Sequence, residues 1–147
     1  MIGACIGESI PSGAELSKTL PTTVGELTFA PRDLSGVMSG TTVDDAIMSL
    51  GRDRGDASIA GGSTTQGELD IIAVAVKGIS GRTLAEAVAK NWLPMTPDKV
   101  VTIGEKSVQI LVGPAAERAY VYSHGAVVYV VSTADERLAT EAIEALP

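Results

Sequence analysis

The run AYVYSHGAVVYVV, residues 119–131, constrains the fold more than any other stretch of the chain. β-branched and aromatic residues flank a turn-forming glycine, Gly125, which is the pattern of a β-hairpin, so an antiparallel pair of strands is expected here. With Ser123-His124-Gly125-Ala126 as the turn, Tyr122 faces Val127, Val121 faces Val128 and Tyr120 faces Tyr129. Because side chains alternate along a strand, Tyr120, Tyr122, Val127, Tyr129 and Val131 share one face, and Val121, Val128 and Val130 share the other. The purely aliphatic face is the better one to place beneath helices. All three tyrosines of the chain then stand together on the opposite face, either as a cross-strand aromatic pair that covers the sheet or as a platform able to stack a planar ligand or anchor a partner.

Much of the remaining chain reads as alternating helices and strand pairs. TTVGELTF supplies a first strand near residues 24–29, and Thr41 and Thr42 precede Asp44 and Asp45 at capping distance to open a helix over 43–50 that Gly51 closes. A strand around 57–61 follows, then IIAVAV (71–76), apolar at every position as a central strand is. SGRTLAEAVAKNWL is a second helix, with Leu84, Ala85, Val88 and Trp92 at helical spacing and Pro94 and Pro97 beyond it. Two strands joined at Gly104-Glu105, the opening hairpin, and a last helix with Thr133 and Glu136 as its capping box complete the order, with Leu138, Ala142, Ile143 and Leu146 as that helix's buried stripe. Neighbouring strands with helices set apart predict an α+β domain over 20–147: a single antiparallel sheet with about three helices, packed mainly on one face. A helix-then-hairpin unit recurs at 43–77 and 82–112, which admits a duplication without establishing one.

Composition limits the partners. The 147 residues are 45% hydrophobic but only 3% aromatic, so the core must be aliphatic. Net charge is −7, with no cluster of Lys or Arg, so nucleic acid is not an expected partner. No run approaches the roughly 18–20 apolar residues of a membrane span. Arg54-Gly55-Asp56 matches an integrin-binding tripeptide but also reads as an ordinary charged turn. Gly104-Glu105-Lys106-Ser107 lacks the earlier glycine and the following helix of a phosphate loop. Asp44, Asp45, Asp53 and Asp56 lack calcium-loop spacing, and the lone His124 has no second ligand nearby in sequence. The expectation is therefore no catalytic residues, no metal and no cofactor.

The N-terminal stretch Ile2-Gly3-Ala4-Cys5 resembles the end of a bacterial lipobox, in which the cysteine carries the lipid. Gly7, Ser9, Pro11, Ser12 and Gly13 then read as a flexible tether, so residues 1–19 form a lipobox-like remnant and linker. The strand LPTTVGELTF, the helix ending in Leu50-Gly51, the YVYSHGAVVYVV hairpin and the helix finishing in Ala145-Leu146-Pro147 resemble domains of uncharacterised secreted or lipidated bacterial proteins. That resemblance implies architecture and an extracytoplasmic location, and it carries no catalytic residue across. His124-Gly125 stands where Asp-Gly or Asn-Gly would be expected. The chain is accordingly expected to be a non-enzymatic extracytoplasmic lipoprotein domain. It would be lipidated at Cys5, attached to the cell membrane only through that anchor, and bind a protein or small molecule through Tyr120, Tyr122 and Tyr129. The alternatives are a structural or self-associating module that forms a homo-oligomer, or a cytoplasmic domain.

Overall fold

The computed structural model describes residues 10–36, 42–92 and 94–147. In chain order the elements are α1 (Gly13–Ser17), β1 (Thr23–Val24), β2 (Leu27–Thr28), β3 (Arg32–Asp33), α2 (Thr42–Ser49), a 3₁₀ turn (Arg54–Asp56), β4 (Ala57–Ser63) and β5 (Asp70–Val76). There follow α3 (Gly81–Asn91), β6 (Thr96–Ile103), β7 (Lys106–Val112), β8 (Arg118–His124), β9 (Val127–Ser132) and α4 (Glu136–Ala145). From α2 onward this is the order the sequence predicts.

Seven of the strands form one antiparallel sheet in the order β3-β4-β5-β9-β8-β7-β6, and β1 and β2 form a separate small hairpin. The double-sided apolar strand β5 lies in the interior of the sheet, between β4 and β9. Its alternate residues feed two cores. Ile71, Ala73 and Ala75 join Val127, Tyr129 and Val131 of β9 and Tyr120 and Tyr122 of β8 on one side. Val74 and Val76 join Val121, Val128 and Val130 on the other.

Both faces are covered, which corrects the expectation of helices mainly on one. Over the valine face lie α2, through Val43, Ala46 and Ile47, and α3, through Leu84, Ala87 and Val88. Over the tyrosine face lie α1 through Leu16, the β1–β2 hairpin through Val24, and α4 through Ala139, Ala142 and Ile143. The architecture is a mixed α+β fold in three layers. Four helices flank the sheet among the described residues. The physical reason is the sequence of β5 and β9 themselves: a strand without a polar side leaves apolar surface in water unless both faces are packed.

Part of the segment assigned by composition to a tether is folded. Ser12 accepts a hydrogen bond from the Glu15 backbone N–H, while the Glu15 carboxylate accepts from the N–H of Ser12, a capping box that starts α1. Leu16 is fully buried and Leu20 nearly so. Cys5, the expected lipidation site, lies outside the described residues.

The opening hairpin differs in register from its predicted form. The turn is Gly125-Ala126, so His124 pairs with Val127, Tyr122 with Tyr129 and Tyr120 with Val131. Gly125 has φ +62, while Ala126 keeps an ordinary negative φ, the combination a glycine-first two-residue turn requires. The predicted pairing is thus displaced by two residues along one strand, a shift that keeps every side chain on its predicted face. At the other end of β9, the helix cap also differs. Asp135, not Thr133, accepts the N–H groups of Arg137 and Leu138, and the Thr133 hydroxyl donates instead to the Glu68 carbonyl.

Candidate functional site

The three tyrosines are buried, at 1% exposure for Tyr120, 3% for Tyr122 and 1% for Tyr129. The open tyrosine platform is therefore corrected: α4, α1 and the chain between α1 and β1 cover it. Two of the rings serve packing. Tyr122 and Tyr129 stack with centroids 5.4 Å apart and planes inclined by 22°, as expected of directly opposed aromatics in an antiparallel pair. The Tyr129 hydroxyl donates to Thr19 Oγ1 at 2.9 Å, and that of Tyr122 donates to the Pro147 carbonyl at 3.4 Å. Lys106 Nζ sits 5.8 Å over the Tyr122 ring and donates to the Ile143 carbonyl at 2.8 Å, capping the end of α4. Burial pushes the Tyr122 phenol far above the usual tyrosine range, with Tyr129 adding to the shift. Burial also raises Tyr129, and Thr19 offsets part of the effect.

Tyr120 is different. Its hydroxyl is closed off from solvent yet makes no hydrogen bond with any described residue. A buried phenol without a partner forfeits about 1–3 kcal/mol of solvation, which makes it the site's chemical irregularity. Tyr120 lies at the border of a cleft of about 360 Å³ between α4 and the β6 end of the sheet, near the lower limit of ligand-sized pockets.

Three elements build this cleft. Along one face of β6, Lys99, Val101 and Ile103 form a wall at two-residue spacing. Across from them, Glu136, Thr140 and Glu144 recur every four residues down one stripe of α4. Ile110 of β7 and Tyr120 of β8, partners in the β7–β8 ladder, lie between the walls, and Arg118 closes one end. There Arg118 Nη1 is 3.7 Å from Glu136 Oε2, an exposed pair that holds neither group firmly. Lys99 and Glu144 form no ion pair with any described residue. The cleft thus offers cations, carboxylates and the Thr140 hydroxyl around an aliphatic floor.

A smaller space of about 300 Å³ beside Trp92 and Met95 shares Arg118 with this cleft, but its buried polar residue, Thr133, already donates its hydroxyl to the Glu68 carbonyl. The Arg54-Gly55-Asp56 tripeptide is a 3₁₀ turn whose arginine is turned inward, donating to Asp44 Oδ1 at 2.9 Å and to the carbonyls of Leu34 and Ser35. His124 is exposed beside its turn. Among the described residues no three His, Cys, Asp or Glu side chains gather to hold a metal ion, and no helix is long and apolar enough to cross a membrane.

The sequence matches no family model, and neither a curated protein nor a solved structure matches it. The site is therefore read from its own chemistry. Tyr120 was accessible to sequence reasoning as a tyrosine on a named sheet face. Lys99, Arg118, Thr140 and Glu144 were not, because only the packing of α4 against β6 brings them together.

Proposed function

We propose that this chain is a non-enzymatic extracytoplasmic domain, lipid-anchored through Cys5, that binds a small molecule in the cleft between α4 and β6. The observation that carries the binding reading is a ligand-sized space bordered by Tyr120, a residue whose buried hydroxyl has no hydrogen-bond partner among the described residues. A ligand group that reaches it gains a hydrogen bond without stripping water from the phenol, because the fold has already done so. The side chains that rim the cleft, Lys99, Arg118, Glu136 and Glu144, are exposed. They can part at little cost to admit such a group.

The tyrosine-bearing face keeps its place in this reading with a narrower role. Tyr120 is the contact, while Tyr122 and Tyr129 hold the covering segments in place. Association of two copies through the tyrosine face would require α4 to lift away, and the open β6 edge is poorly suited to pairing. It carries Pro97, a register irregularity between Pro97 and Val100, and exposed Asp98 and Lys99, features that discourage edge-to-edge addition. The domain is therefore expected to act as a monomer.

Two measurements test the proposal. A fragment library screened by ¹H–¹⁵N correlation spectra should shift amides of residues 99–104, 118–120 and 136–144 as one group; a screen in which these never move together would refute the cleft. For the anchor, the chain expressed with its natural upstream region in a bacterial host should gain a diacylglyceryl mass and fractionate with membranes. Cys5→Ser should abolish both. An unmodified cytosolic product would overturn the localisation and leave the cleft untouched.

A further inference from the structure

The two ends of the cleft differ in charge. Strand register orients it: Thr96 of β6 pairs with Val112, and Val112 with Arg118, so the start of β6 lies at the Arg118 end. Ile103, at the other end of β6, pairs with Lys106, whose amine reaches the Ile143 carbonyl beside Glu144. Helix α4 thus runs alongside β6 from the Arg118–Glu136 contact to Glu144. At the first end stand two cations, Arg118 and Lys99, against one carboxylate, Glu136. At the second stands Glu144, the one charged side chain of the cleft lining at that end. Lys106, the remaining cation near that end, is turned onto the Ile143 carbonyl and does not line the cleft.

Resting on the cleft-binding reading, we propose that the ligand is an elongated zwitterion, a short free peptide of two or three residues with small aliphatic side chains. Its carboxylate would lie at Lys99 and Arg118 and its ammonium at Glu144. The dimensions agree. Two helical turns separate Glu136 from Glu144, about 12 Å at 1.5 Å per residue, and an extended tripeptide spans about 10 Å. Val101, Ile103 and Ile110 form the apolar part of the lining between the charged ends, which suits alkyl side chains. Tyr120 borders the same trough, and the Thr140 hydroxyl, which donates to the Glu136 carbonyl at 3.0 Å, keeps lone pairs to accept a peptide N–H. Opposite charges at opposite ends also fix direction, because a peptide bound in reverse would place its carboxylate against Glu144.

The probe is trialanine, titrated into the full chain with amide shifts as readout, alongside N-acetyl-trialanine and trialanine amide. Trialanine should shift residues 99–104, 118–120 and 136–144 saturably, and blocking either terminus should weaken binding at least tenfold. Lys99→Gln should remove the penalty for the amide while keeping that for the acetyl group, and Glu144→Gln should do the reverse. Both residues are exposed, so neither variant endangers the fold. Equal binding of the blocked and free peptides would overturn the zwitterion. If trialanine shifts nothing while neutral fragments move the same amides, the zwitterion falls and the cleft stands. If neither does, both fall.

Discussion

The Tyr129 hydroxyl donates to Thr19 Oγ1 at 2.9 Å across 110 residues of sequence, and Thr19 in turn donates to the Leu16 carbonyl at 2.7 Å. This relay ties the end of α1 to the middle of the sheet. Thr19→Val should leave the Tyr129 phenol buried and unsatisfied at a cost of about 1–3 kcal/mol. Tyr129→Phe removes the donor itself and should cost only about 1 kcal/mol, and the double variant should cost less than the sum. Urea unfolding of the four proteins measures the coupling; strict additivity would mean that the bond contributes nothing.

Alkaline pH should unfold the protein through the same pair of rings. Tyr122 and Tyr129 have folded-state pKa values raised by burial. Their stabilising contribution is complete below the unfolded tyrosine value of about 10 and is lost as pH rises above it, because the unfolded chain ionises first. Tyrosinate absorbance in Tyr120→Phe, which retains only these two phenols, should therefore rise together with loss of the folded circular dichroism signal. Ionisation near pH 10 with the fold intact would contradict the burial.

A close backbone approach fixes where α3 begins. A Cβ on Gly81 would lie 2.3 Å from the Gly125 carbonyl oxygen, so the first turn of the helix sits against the β8–β9 turn with no room for a side chain. Gly81→Ala must displace one or the other and should destabilise by about 1–3 kcal/mol, the range for overpacking, even though alanine is the better helix former. Thermal unfolding checks the sign: a more stable variant would mean that the helix start is loose.

The strands and the identity of each face could be read from period-two alternation, and they tolerated the register shift in the hairpin because a slip of two residues preserves faces. What covers each face could not be read as easily. The five residues of α1 are too few to display a helical period, and Ser12, Gly13 and Ser17 give it the composition of a linker. The stronger signal is IIAVAV, whose lack of a polar side requires cover above and below, whereas the purely aliphatic side of the hairpin points to helices on that face alone. Two of the tyrosine hydroxyls find partners in Thr19 and Pro147, both far away in the sequence and invisible to local pattern. The cleft is hidden for the same reason: β6, β8 and α4 meet only in the folded chain.

Tyr120→Phe separates a binding residue from a structural one. Because the Tyr120 hydroxyl is buried without a described partner, its removal takes away a desolvated polar group and no protein hydrogen bond, so stability should hold or rise by about 1 kcal/mol. For a chain of this size that is a gain of roughly 2–4 °C in Tm. Tyr129→Phe should move the other way, although the two residues lie on the same sheet face and are equally buried. Ligand affinity at the cleft should fall several-fold in Tyr120→Phe and stay unchanged in Tyr129→Phe. A variant that becomes more stable while losing affinity is what a hydroxyl reserved for a ligand requires. Loss of stability in Tyr120→Phe would instead place the hydroxyl in the fold's own hydrogen bonding and remove the observation on which the cleft reading rests.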